Sequence, residues 1–322
     1  MLSRVADSLY WLGRYGERVE TNTHILATQL DYMLEHNPRD RHVAHLCEKI
    51  IAICGYDEDF KARHEEITQE TLIHYVLCDD KNYNAILPLI HNIRDNARNT
   101  RDIIPNELWE VWNELYLNLP SCKPDISVLS TMDQLMSVRK TSLSAAGVID
   151  SLMTRDEGFL FLKIGKWLER SEKTALIISH LLERSASNLQ REIAIDHALK
   201  LTNSQDDYLR RHRKLNRMDI LNFLVSDLKS TRSVAYGIRK MKATIFDIEN
   251  GEKRRYSAQL FQALDELEQL VQIDAHTFTY EERLDWIHTI RLKCTQLGPI
   301  FAKTYYLTPP ILIDSEALMQ FS

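Results

Sequence analysis

A stretch near the start of the chain, Ser8-Leu9-Tyr10-Trp11-Leu12-Gly13-Arg14-Tyr15-Gly16-Glu17-Arg18-Val19-Glu20, returns altered as Phe161-Leu162-Lys163-Ile164-Gly165-Lys166-Trp167-Leu168-Glu169-Arg170-Ser171-Glu172. Gly13, Glu17, Arg18 and Glu20 match Gly165, Glu169, Arg170 and Glu172 at a constant spacing of 152 residues. Wound as a helix at about 100° per residue, the first copy places Gly13, Glu17, Glu20 and His24 on one face, beside Leu9, Gly16 and Ala27. A surface helix keeps glutamate away from its apolar stripe, and glycine costs about 1 kcal/mol against alanine in a helix interior. Two glycines on this face predict another element packed closely against it. Glu17 and Glu20 then point inward, where they need cations or hydrogen-bond donors.

Nine glycines and eight prolines in 322 residues are few, while Leu, Ile, Glu, Lys and Arg abound. That balance predicts an all-α fold: an elongated multi-helix bundle, one domain over residues 1–322, built from two pseudo-repeated halves of about 1–122 and 123–322. A net charge of −6 argues against nucleic acid as the main partner. Five scattered cysteines without a Cys-x-x-Cys pair signal neither a disulfide framework nor a zinc site, so reduced thiols are expected. No run approaches the roughly 18 apolar residues of a membrane span, and no charged leader precedes an apolar block. A cytoplasmic protein without a membrane partner is the expectation.

Periodicity predicts a long first helix from near Ser3, as N-cap, to about Glu35, then helices over 42–54 and 67–77. Asn82 or Asn84 is the expected cap of the next helix, and Pro105 the first position of the one after it, which carries Trp109, Trp112 and Leu115. Residues 119–125 read as a linker. Beyond it, helices are expected over 128–152, 157–184, 192–201, 206–213, 218–228, 231–248, 258–271 and 280–305, with no strand.

Leu87, Ile90, Arg94, Ala97, Arg98 and Arg101 recur at three- and four-residue steps, so an apolar stripe turns cationic without changing face. Stacked arginines repel one another unless acidic side chains or an anionic ligand hold them. In the second half Arg232, Tyr236 and Arg239 share a face after the possible caps Ser230 and Thr231. One reading pairs Glu17, Glu20, Glu169 and Glu172 with Arg14, Arg94, Arg98, Arg232 and neighbours such as Arg18 and Arg170 in structural salt-bridge networks. The other makes the arginines, Arg101 among them, a cleft for a carboxylate or phosphate, with the glutamates orienting them or meeting an amine. In an enzyme, Glu17 or Glu169 would be the general base.

Weaker candidates remain. On a helix Cys47 lies about 160° from His45, so His42, His45 and Cys47 do not converge on a metal. His24 reads as a structural histidine, and the tryptophans as packing residues. The basic run Tyr208 to Lys214 reads as a solvated helix face. No phosphate-cradling Gly loop, nucleophile elbow or catalytic Cys motif is present, and no cofactor or metal is expected.

Three groups of residues carry a resemblance over nearly the full length. They are the opening Met1 to Ala6 through Leu9-Tyr10-Trp11-x-Gly13-Arg14-Tyr15-x-Glu17-Arg18-x-Glu20, the pair Arg94 to Arg101 and Glu107 to Tyr116, and Gly165 to Arg170 with Arg232-Ser233-Val234. The chain resembles the alpha-E family of helical bacterial proteins, a domain of unknown function. It departs from the family at Lys166, where Arg is usual, at Thr231, where Pro is common, and at Ile104-Pro105, where a capping Ser is more usual. The resemblance implies a neighbouring circularly permuted ATP-grasp ligase-like protein, often with a transglutaminase-like peptidase nearby, and so a role in making or modifying a peptide-like product. The expected function is an accessory component that binds that ligase or its peptide-like or anionic substrate. An enzyme acting on a carboxylate or amide, and a purely structural scaffold, are the alternatives.

Overall fold

The computed structural model describes residues 2–36, 40–119, 127–182 and 188–305. Helices α1 (Ser3–Glu35), α2 (Arg41–Cys54), α3 (Asp57–Lys61), α4 (Gln69–Leu77), α5 (Ile86–Asn99), α6 (Asn106–Asn118) and α7 (Val128–Leu152) come first. They are followed by α8 (Glu157–Leu181), α9 (Asn188–Leu201), α10 (Gln205–Arg211), α11 (Arg217–Val225), α12 (Val234–Ile248), α13 (Ala258–Val271) and α14 (Tyr280–Thr304). There is no strand among the described residues, in line with the sparse glycine and proline.

The two helices that carry the repeated stretch, α1 and α8, pack against each other at the centre. Around α1 lie α5 and α7, bridged by α6; around α8 lie α12 and α14, bridged by α13. The shorter helices α2 and α9 each touch both central helices. Fully buried Leu9, Val19, Ile25, Leu26 and Leu30 give α1 its apolar contacts, and Leu168 and Ile178 do the same on α8. Burying an aliphatic side chain of this size stabilises by about 1.5–3 kcal/mol.

Most helix starts are capped by short polar side chains. Asp40, Asp156, Asn216 and Ser233 accept from backbone N–H groups of the first turn, and Thr68 and Thr279 form capping boxes. Several expected caps are elsewhere. Leu2, without a side-chain cap, precedes α1; Ala85 precedes α5; Pro105 sits one position ahead of α6; and Ser233, not Ser230 or Thr231, caps α12. Asn84 is instead drawn into the interior by Arg18.

Gly13 and Gly165 explain the central crossing. A Cβ built on Gly13 would lie 2.1 Å from the Leu162 carbonyl oxygen, and one on Gly165 would lie 2.1 Å from that of Tyr10. Leu162 and Tyr10 are themselves 152 residues apart, so each helix receives the other's glycine at the same point. Gly16 was expected to share this role and does not. Its nearest neighbour is the Trp112 ring at 3.9 Å, an ordinary contact.

The cysteines depart from the reduced state expected of them. Cys47, Cys54 and Cys294 are free and buried, but Cys78 is disulfide-bonded. Scattered spacing cannot reveal a bridge that only tertiary folding brings together. Cys122 and the 119–125 linker, apart from Leu119, lie outside the described residues, as does the tail from Pro309.

Candidate functional site

The close crossing lets the charged side chains of one central helix reach those of the other. Arg18 donates from Nε to Glu169 Oε1 at 2.7 Å and from Nη2 to Glu169 Oε2 at 2.9 Å. Arg170 returns the same fork, with Nε and Nη2 donating to Glu17 Oε1 and Oε2 at 2.6 and 2.7 Å. Each Glu-Arg step is thus answered by the other, and fork-to-carboxylate pairing fixes geometry as well as charge.

Further donors complete the two networks. Arg14, 6% exposed, donates to Glu169 at 2.5 Å, to Glu172 at 2.7 Å and to the Tyr10 hydroxyl at 3.1 Å. On the opposite side Arg232, from the loop before α12, bonds Glu20 at 2.8 and 2.9 Å and Glu17 at 3.1 Å. Arg18 donates to Asn84 at 2.8 Å, and the buried Lys173 donates to the Ile53 carbonyl at 2.6 Å.

Burial alone would raise these carboxyls, but the guanidinium partners outweigh it. Arg14 and Arg18 hold Glu169 down at about 2, and Arg232 does the same for Glu20. Glu172 goes the other way, because burial and the neighbouring Glu169 outweigh Arg14. Lowered carboxyls contribute stability that is present above the unfolded value of 4.5 and lost as pH falls through about 2. Two histidines bring the loss forward. Burial pushes His197 down to about 3 and His180 down to about 4, so their contribution is complete above 6.5 and declines as pH falls toward those values. The expected melting curve therefore loses temperature from about pH 6.5 downward and again below about 4.5. A melting temperature that stays level from pH 7 to pH 4 contradicts the burial of both imidazoles.

The structure sorts the sequence candidates into two sets. Arg14, Glu17, Arg18, Glu20, Glu169, Arg170, Glu172 and Arg232 converge at the center. Arg94, Arg98, Arg101 and Arg239 do not, which corrects the expected pairing of the glutamates with the α5 arginines. The stripe of α5 faces α6 and solvent: Arg94 donates to Asn113 at 2.8 Å and lies 4.6 Å from the centre of the Tyr116 ring. Arg101 lies 5.0 Å from the Trp109 ring, and Arg98, 58% exposed, meets Asp95 at 3.1 Å. Arg239 is exposed and donates to the Leu228 carbonyl. Helical periodicity puts residues on a face but does not say which neighbour that face meets.

Tyr10, Asn84 and Lys173 belong to the networks and were missed. Asn84 has the chemistry of a helix cap, and no spacing rule links Tyr10 or Lys173 to the opposite helix. His24 reaches the Lys200 carbonyl at 2.7 Å and lines a cavity of about 360 Å³ with Asp31, Tyr32 and His197. His64, His74 and Asp79 bring ligand atoms within 4.8 Å of one another, but Asp79 already accepts from Arg63 and from the Lys81 N–H. The basic run is tied locally: Arg211 meets Asp207 and Asp227, and the buried Tyr208 donates to the Lys214 carbonyl.

As a general base, Glu169 is poorly placed, because its arginine partners hold it down at about 2, its oxygens already accept from guanidinium donors, and it is 3% exposed. The central cluster holds two helices together through paired Glu-Arg steps. A model of the Alpha-E family, described as a predicted alpha-helical domain with a conserved ER motif, matches residues 1–306. The chain belongs to the Alpha-E family. Glu17-Arg18 and Glu169-Arg170 are Glu-Arg steps of that kind in this Alpha-E chain.

Uncharacterised proteins of Mycobacterium bovis and Mycobacterium tuberculosis are 23% identical to it over 267 residues, covering 76% of this chain. The matched region is 30% of each relative's length. No solved structure matches the chain. No helix among the described residues is long and apolar enough to cross a membrane.

Proposed function

We propose that this Alpha-E chain is an accessory binding component of an ATP-grasp amide-ligase system that makes or modifies a peptide-like product. The α5 arginine stripe would form its contact with the ligase-like protein or an acidic peptide substrate. The observation that carries this reading is the share of the relatives it covers. A domain that makes up 30% of longer chains works beside other sequence, which is what an accessory component does. Glu17 and Glu169 are each held by two arginines, whereas Arg98 and Arg101 of the α5 stripe are exposed and meet no central glutamate. We also propose that the duplication divides between α7 and α8, because α7 packs on α1 and α6 as α14 packs on α8 and α13.

The test is capture of the circularly permuted ATP-grasp ligase-like protein by the tagged chain. Reversing both charges, Arg98→Glu with Arg101→Glu, is expected to weaken capture by about tenfold or more while helicity is unchanged. Capture that survives the reversal, or none by the wild type with or without substrate, favours the scaffold reading that the saturated centre also supports.

A further inference from the structure

The two central networks differ at one position, and the difference leaves a cation without a carboxylate. Adding the 152-residue spacing to Arg14 leads to Lys166. Arg14 is held by Glu169 and Glu172, whose counterparts are Glu17 and Glu20. Those two are already taken, Glu17 by Arg170 and Arg232, and Glu20 by Arg232. In the first network the place that Arg232 holds ahead of α12 is held ahead of α5 by the neutral Asn84. Arg232 therefore displaces Lys166 from the pairing its position would otherwise have.

Lys166 is partly exposed and makes no hydrogen bond or ion pair among the described residues. Its Nζ lies 5.4 Å from the centre of the Trp167 ring. Lys163 Nζ is also 5.4 Å from that ring, and the Arg170 guanidinium carbon is 5.1 Å away. Lys163 is matched by Asp150 of α7 at 2.9 Å and Arg170 by Glu17. Lys166 is the unmatched member of this set, and a half-buried cation beside aromatic surface suits a small anion that excludes water from it.

We propose that Lys166, with Lys163 and Trp167, binds one carboxylate or phosphate group of a small ligand where α8 meets α1 and α7. This site is separate from the α5 stripe, so it stands or falls independently of the partner contact proposed above. The groups facing Lys166 are Glu17 from α1, Asp150 from α7, and Lys163 and Arg170 from α8 itself. Burial, with Arg170 and Lys163, pushes its amine down to about 8 against the opposing pull of Glu17 and Asp150. About a tenth of the amine is thus uncharged at pH 7 and about a quarter at pH 7.5, and a bound anion restores the charge.

Amine acylation of the wild-type protein at about pH 7.5, read peptide by peptide by mass spectrometry, tests this, because the reagent reacts with the uncharged amine. Lys166 is expected to label faster than the exposed Lys81. Saturating inorganic phosphate or succinate is expected to slow labelling of Lys166 by about tenfold and leave Lys81 unchanged. The probe that protects at the lower concentration identifies the ligand's anionic group. Either probe should also raise the melting temperature of wild type and Lys166→Arg but not of folded Lys166→Met. Unprotected Lys166, or an equal rise in Lys166→Met, overturns the proposal.

Discussion

Replacing Glu169 by Gln is expected to destabilise the protein by about 3–5 kcal/mol, measured by urea unfolding, because it strands buried charge. Arg18 loses both of its carboxylate contacts, and Arg14 keeps only Glu172. The remaining guanidinium groups cannot escape to solvent without opening the α1–α8 crossing. Glu17→Gln should cost nearly as much, since Arg170 loses both of its carboxylate contacts. Glu20→Gln should cost less, because Arg232 keeps Glu17. A loss below about 1 kcal/mol for Glu169→Gln would show that the network contributes little beyond the apolar packing around it. Pairing Glu169→Gln with Arg18→Met in a double-mutant cycle separates the attraction from the penalty of the stranded arginine.

Alanine at Gly165 is expected to destabilise by about 3 kcal/mol or more, at the upper end for overpacking. The obstacle is backbone: the new methyl would lie 2.1 Å from the Tyr10 carbonyl oxygen and 3.1 Å from the Arg14 nitrogen. Neither can rotate aside, so α1 and α8 must part, stretching the Arg-Glu forks on both sides. Gly13→Ala meets the same obstacle at Leu162 and should behave alike. The double variant should lose less than the sum, because helices already parted for one methyl admit the second more easily. Gly147→Ala is the contrast: a Cβ there meets nothing within 4 Å, and alanine should stabilise α7 by up to about 1 kcal/mol. Equal effects at Gly165 and Gly147 would mean that the crossing is looser than its geometry.

The repeated stretch carried much of the fold in readable form. Glutamate beside glycine on an apolar face is costly for an isolated helix, so it pointed to some element packed closely there; that the element is the other copy came from the structure. Composition and periodicity determined the all-α class and most helix spans, because local propensity and amphipathic spacing act within a few turns. Caps were less legible: Asn84 has the chemistry of a cap, but its partner is Arg18 on another helix. The arginine candidates divided for the same reason. Nothing in the 3.6-residue period distinguishes Arg98, which faces solvent, from Arg18, which faces a carboxylate 151 residues away.

The sequence by itself determined that inward carboxylates needed inward cations, since an unpaired buried charge is too costly to keep. Only the tertiary structure decided which cations met them, that the two Glu-Arg steps answer each other, and that Lys166 was left over. Those outcomes depend on where helices cross, and a crossing is set by the closest approach of two backbones distant in sequence. Here it is set by Gly13 and Gly165.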